Sequence, residues 1–219
     1  MTNLFYSCDV LIIGAGPAGC AAATIFAEEK GRKVIVLEKE HFPRYHVGES
    51  LIPHCWDTLN RLGMTERLDE KGFQVKQSVQ FVDPEGELST PFYFSKHTDH
   101  PRAKTWQVDR ETFDTMMMER AREAGAQVRE GIKVLDFIEQ DGVVVGVRAE
   151  DAGGMRFELR APVTMDASGR DALFQRKKKW RKRDPKLNKI AIWTLYKGAK
   201  RDPGVDEGAT TVAYVQGKG

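Results

Sequence analysis

The chain has 219 residues, 41% of them hydrophobic and 30% charged, with a formal net charge of +2. This composition excludes a disordered or fibrous protein, and the near-balanced charge argues against nucleic acid or an anionic membrane as a partner. Three cysteines, Cys8, Cys20 and Cys55, show no close CxxC pair, which argues against a disulfide framework or zinc ribbon and points to a reducing compartment, the cytoplasm.

Val10 to Ile13 is an unbroken apolar run and is predicted to be a strand buried on both faces. Gly14-Ala15-Gly16-Pro17-Ala18-Gly19 follows with the G-x-G-x-x-G spacing. Ala21 to Lys30 is predicted as a helix ending at Gly31, and Val34 to Leu37 as a second buried strand carrying Glu38 at its end. Gly14 allows the tight turn, Gly16 a close approach of backbone to pyrophosphate, and Gly19 close packing of helix on strand. Pro17 and Ala18 belong to the loop expected to bind the cofactor, and the amides and dipole at the N-terminus of the helix that follows favour a phosphate. Glu38 suits a ribose hydroxyl, and Lys39 is either a phosphate neutraliser or a solvated surface lysine. Val10 to Ala27 is apolar, but it has no basic flank and is interrupted by Gly14, Gly16, Pro17 and Gly19. It therefore reads neither as a signal peptide nor as a membrane span, and no stable membrane insertion is expected.

The stretch His41-Phe42-Pro43-Arg44-Tyr45-His46-Val47-Gly48-Glu49-Ser50-Leu51-Ile52-Pro53 resembles the segment after the second strand in flavin-dependent halogenases. Their superfamily also holds aromatic hydroxylases and geranylgeranyl reductases. Gln107-Val108-Asp109-Arg110 with Phe113 and Asp114 is similar to that family's R-x-x-F-D helix start, and Val163 to Ser168 with Gly169 to its strand ending in D-A-S-G. The resemblance runs along nearly the whole chain and implies FAD as cofactor. It implies that Arg44 and Arg110 lie near the flavin and that Gly48, Glu49 and Ser50 border the isoalloxazine. Val134, Asp166 and Gly169 are implied at the adenosine end. In isolation, Arg110 reads as a surface helix residue and Asp166 to Gly169 as a turn or helix cap.

Residues 78 to 94 alternate around Asp83-Pro84-Glu85-Gly86 and are predicted to form a hairpin, and Thr105 to Val108 a strand. Phe113 to Ala124 is predicted as a helix with Phe113, Met116, Met117 and Ala121 inward and Gly125 as its cap. Gln127 to Val134, Leu135 to Gln140, Val143 to Ala149 and Arg156 to Leu159 are predicted strands, followed by a returning strand at 163 to 167 and another at Ile190 to Tyr196. The basic run Arg176 to Arg183 reads as a solvated helix end or loop rather than a nucleic-acid patch around Trp180. His46 and His54 lack partners at ligand spacing, so no metal is expected.

The expected fold is α/β: a Rossmann-like, three-layer FAD/NAD(P)-binding domain with an inserted antiparallel sheet, incomplete at its C-terminal side. By resemblance, residues 1–75 and 109–175 form the FAD-binding domain, and 76–108 and 176–219 the substrate domain. The stretch from Phe73 to Phe81 is similar to the family's F-x-x-K-x-G/S-x-x-F, which puts Lys76 on its catalytic lysine position. The family combines reduced flavin with oxygen in C4a-hydroperoxide chemistry and passes oxidised halide to that lysine. Lys76 reads equally as an ordinary lysine at a strand start. Glu49 is a second catalytic candidate, as a proton relay or a contact to the halide side of the flavin, or else a loop cap.

Three functional readings follow. The first is a halogenase-like flavoenzyme acting on an activated aromatic or carrier-tethered substrate, served by a separate flavin reductase. The second is a geranylgeranyl reductase-like or hydroxylating flavoenzyme without halide use. The third is a non-catalytic fragment of the fold. The family's later G-D and W-x-W-x-I-P motifs are absent from this sequence. The chain is therefore expected to be an N-terminal piece that by itself binds FAD weakly and does not turn over.

Overall fold

The computed structural model describes residues 5–29, 31–187, 190–215 and 217. In chain order the first half holds strands β1 (Phe5–Ser7) and β2 (Val10–Ile13), helix α1 (Pro17–Glu28), strand β3 (Val34–Leu37), helices α2 (Cys55–Arg61) and α3 (Met64–Glu70), and strands β4 (Gln74–Lys76), β5 (Ser78–Val82), β6 (Phe92–Tyr93) and β7 (Thr105–Gln107). Helix α4 (Arg110–Glu123), strands β8 (Gln127–Arg129), β9 (Lys133–Gln140), β10 (Val143–Glu150), β11 (Arg156–Arg160) and β12 (Val163–Asp166), helix α5 (Leu173–Lys177) and strand β13 (Thr210–Ala213) follow. The chain divides into two compact units, Met1–His46 with Glu111–Ile190 and Val47–Arg110 with Ala191–Gly219. Residues 47–75 and 109–110, expected with the cofactor domain, fall in the second unit, and 176–190, expected with the substrate domain, in the first.

The first unit is three-layered. Its central sheet runs β12-β2-β3-β8, all parallel. Every residue of β2 and β3 is buried, because a parallel sheet is covered on both faces. Side chains alternate along a strand. Leu11, Ile13, Ile35 and Leu37 pack with Phe137, Val147, Ala149, Phe157 and Leu159 of a second sheet, β1-β11-β10-β9. Helix α1 packs on β2 and β3, and the alternation leaves it the opposite face.

Helix α1 begins at Pro17, four residues before the expected start, because proline suits the first helical position. The expected helix end at Lys30 lies outside the described residues. Helix α4 buries Phe113, Asp114, Met117, Met118 and Ala121. Met118 thus takes the inward place expected for Met116, because the buried stripe follows 113/114, 117/118 and 121. The expected strand from Gln127 to Val134 is two. β8 pairs with β3, Gly131 turns at φ +70°, and β9 joins the other sheet.

In the second unit β13 pairs parallel with β5, which pairs antiparallel with β6, while β4 pairs antiparallel with β7. The Asp83 side chain accepts the amides of Glu85 and Glu87 and closes the hairpin turn. Ile190 to Tyr196 is not a strand, contrary to expectation. Among the described residues it has no strand partner, and Ile190 and Ile192 are 83% and 92% exposed. A strand pattern without a neighbour to accept its backbone hydrogen bonds does not form a sheet. Gln216, Lys218 and Gly219 lie outside the described residues. Among those described, no helix is long and apolar enough to cross a membrane.

Candidate functional site

The glycine loop is built by two close approaches. Gly14 has φ +99° and donates its amide to Leu37 O at 2.8 Å. A Cβ there would sit 2.6 Å from Ala167 O, and a Cβ on Gly19 would sit 1.9 Å from Gly14 O. Both glycines are therefore required by packing. Gly16 differs, since a Cβ there would meet nothing nearer than Arg44 Nη2 at 3.8 Å. Its free side faces the start of α1, where the Ala18 and Gly19 amides have no intrahelical acceptor.

Glu38 is 5% exposed at the end of β3. It accepts the Ala15 amide at 2.8 Å and the Glu40 amide at 2.9 Å, one on each carboxylate oxygen. Each oxygen keeps a further lone pair for a hydroxyl. The Arg44 guanidinium lies 4.0 Å from Glu38, 3.6 Å from Glu40 and 3.6 Å from Asp114, and its Nη1 is 3.0 Å from His46 Nδ1. Its buried Nε has no hydrogen-bond partner. The anion beside that Nε is the Glu40 carboxylate at 3.6 Å, an ion pair just beyond hydrogen-bond distance. Asp114 is fully buried. Its part in holding Arg44 was not legible in the sequence beyond its place in the R-x-x-F-D motif.

Lys39 binds Asp171 at 2.5 Å, which raises the lysine and lowers the aspartate from their ordinary pKa ranges. It serves an ion pair. Asp166 accepts the Ser168 amide at 3.0 Å and the Phe174 amide at 2.8 Å, so its carboxylate ties the turn after β12 to α5. Gly169 follows with φ +61°. Val134 is buried in the core and pairs with Ala149. The residue that bonds to the Glu38 carbonyl is Ile132. Cys8 and Cys20 are buried, and burial pushes the Cys20 thiol up to about 12.

In the second unit, Gly48 has φ +118°, and a Cβ there would lie 3.0 Å from Arg110 Nη1. That guanidinium donates to Val47 O at 3.1 Å and Gly48 O at 3.3 Å, so Arg110 shapes this loop. The Glu49 carbonyl accepts the Val108 amide at 2.8 Å. Ser50, expected at the flavin, places its hydroxyl on Lys76, whose Nζ donates to it at 2.8 Å. Lys76 is 4% exposed and lies 5.7 Å from the Phe94 ring centroid. Burial lowers its pKa from the ordinary lysine range. Thr105, its partner across the β4–β7 ladder, has a buried hydroxyl with no hydrogen-bond partner. In the basic run, Lys177 binds Asp136 at 2.6 Å and Lys178 pairs with Glu139, while Trp180 packs edge-on against Phe174. Among the described residues no group of three or more His, Cys, Asp or Glu is arranged to hold a metal.

A glycine loop between a buried strand and a helix, with an acid closing the next strand and a mixed, mainly antiparallel sheet as third layer, defines a dinucleotide-binding fold. Comparison with known proteins narrows the class. The tryptophan halogenase family model matches residues 9–103. The chain is 38% identical over 214 residues to the 1H-pyrrole-2-carbonyl peptidyl-carrier-protein brominase of Pseudoalteromonas luteoviolacea, covering 96% of this chain and 50% of the relative. It is 33% identical to the corresponding chlorinase of Pseudomonas fluorescens, covering 86% and 45%. Its fold matches the myxobacterial chondrochloren halogenase CndH, an FAD-dependent halogenase, with a TM-score of 0.78 and 29% identity over 95% of this chain and 48% of that one. The chain is thus similar to FAD-dependent oxidoreductases, with flavin-dependent halogenases among its relatives. It spans about half the length of the curated relatives it matches.

Proposed function

We propose that this chain is part of an FAD-dependent halogenase whose substrate is an activated aromatic ring, free or tethered to a carrier protein. The observation that carries the reading is Lys76: a buried amine held by a hydroxyl, with its pKa lowered by burial. An amine that passes on an oxidised halogen needs a fixed position and shelter from bulk water. As ammonium it donates a hydrogen bond to hypohalous acid; as free amine it takes the halogen from hypohalous acid, the O–X bond breaking as N–X forms and water leaving. Burial favours access to the second form.

The residues present fit FAD. Gly16 leaves room at the α1 N-terminus, Arg44 Nη2 adjoins that room, and Glu38 keeps acceptor capacity for a ribose hydroxyl. Reduced FAD with oxygen would supply the oxidising equivalent. Gly16, Ala18 and Gly19 would hold the pyrophosphate with Arg44 beside it. Glu49 stands as a candidate proton carrier, its carboxylate having no ion-pair partner among the described residues. A separate flavin reductase is the proposed partner, and a reducing cytoplasm the proposed compartment. Residues 1–219 alone are proposed to bind FAD weakly and not to turn over.

The test is bromination of an activated arene by the protein expressed from its full reading frame, with FAD, a flavin reductase, NADH and bromide. Product should depend on bromide, and Lys76→Ala should lower it at least a hundredfold while flavin binding persists. Bromination unchanged in Lys76→Ala would sink the assignment. Turnover of substrate without halide would favour a hydroxylase or reductase.

A further inference from the structure

We propose that Ser50, Thr210 and Gln107 form a hydrogen-bond relay that fixes the position of the Lys76 amine, making them positioning residues. The inference deepens the reading of Lys76 as the halogenating residue and takes its catalytic meaning from it.

The direction of the relay follows from atoms that have one role each. Gln107 Nε2 lies 3.0 Å from Gly208 O and 3.0 Å from Thr210 Oγ1. The Gly208 carbonyl only accepts, so the amide nitrogen must face it. Thr210 Oγ1 therefore accepts from Gln107, which leaves its own proton for Ser50 Oγ at 3.1 Å. Ser50 Oγ in turn accepts from Lys76 Nζ at 2.8 Å. When Lys76 is a neutral amine, Ser50 can instead donate to it while still accepting from Thr210. The chain thus serves both protonation states without moving a heavy atom.

The anchor is rigid. A Cβ on Gly208 would sit 1.9 Å from Val75 O, so the backbone there lies directly against β4, next to Lys76. Thr210 opens β13 and pairs with Val79. Ser50 is solvent-exposed and its hydroxyl would be free to swing away without Thr210. The remaining partners of Lys76 are weak: Leu51 O at 3.5 Å and the Phe94 ring. No carboxylate lies within ion-pair distance of its Nζ among the described residues, and burial is the sole cause of its lowered pKa. An unpinned lysine loses the defined geometry that group transfer needs, where a 1 Å misplacement costs about a hundredfold in rate.

The experiment is pH-dependent acetylation of the 219-residue chain by acetic anhydride, read by peptide mass spectrometry. Lys76 is compared with the exposed Lys200 of the same sample. Ser50→Ala should lower the Lys76 midpoint by about one pH unit, a tenfold change in proton affinity, because the buried ammonium loses its acceptor. Thr210→Val should move it the same way by less, and Ser50→Thr should restore it. An unchanged midpoint in Ser50→Ala, or equal shifts in Ser50→Ala and Ser50→Thr, would overturn the relay. If Ser50→Ala does not fold, Thr210→Val decides, and an unchanged midpoint there overturns it. Should the shifts appear while Lys76→Ala of the full-length protein still brominates, the relay stands and the catalytic reading of Lys76 falls.

Discussion

The Arg44 guanidinium lies 3.6 Å from the carboxylate of Asp114, and Asp114 is fully buried. Arg44 comes from the segment after β3, and Asp114 from the first turns of α4. Seventy residues of chain separate two charges that set each other's place.

Removing one member of such a pair should cost more than removing both. Arg44→Met removes the guanidinium beside the buried Asp114 carboxylate and should destabilise the chain by about 3 kcal/mol. Arg44→Met with Asp114→Leu should recover a large part of that loss. Urea unfolding with unchanged m-values is the measurement. Equal stability of wild type and Arg44→Met would show that the buried carboxylate does not depend on Arg44.

The three loop glycines should separate by role. Gly19→Ala places a methyl 1.9 Å from Gly14 O and should lower stability by roughly 3 kcal/mol, through overpacking against backbone. Gly16→Ala meets only Arg44 at 3.8 Å, so its melting temperature should stay near wild type. Its FAD affinity should fall at least tenfold, because the methyl fills the room proposed for the pyrophosphate. Flavin fluorescence titration together with thermal melting checks both. Unaltered flavin binding by Gly16→Ala would remove the loop from the cofactor site.

Acid should weaken the first unit through carboxylates held below their ordinary range, Glu130, Asp136 and Asp171 among them. Burial pushes Glu130 up, but the Phe42 amide and Arg122 outweigh it and hold it below the usual range. Hydrogen bonds from Lys177 and Lys39 hold Asp136 and Asp171 low. A carboxyl whose folded pKa is depressed adds stability above its unfolded value, and that stability is lost as pH falls through the folded one. The loss should therefore begin near pH 4 and continue below it. Glu130→Gln should flatten this limb in urea midpoints taken between pH 6 and 3. An identical acid limb would show that Glu130 carries no linkage.

Local sequence is enough to specify the cofactor half of the fold. β2, the glycine loop, α1 and β3 are local: an apolar run, a required turn and a proline-started helix specify one another within thirty residues. The hairpin around Asp83 and the strands from β10 to β12 are legible for the same reason. Partnerships between distant segments, by contrast, arise only once the chain is folded. The stretch from Gln127 to Val134 has one continuous pattern, and its break at Gly131 follows from the two ends joining different sheets. Ile190 to Tyr196 has a strand's composition but no neighbour to bond to, while β13 is a strand because β5 lies beside it. Lys76 could be placed by motif. That it is buried, and that Ser50 and Thr210 hold it, required residues 26 and 134 positions away to converge, and hydrogen bonds of that reach leave no periodic trace in a sequence.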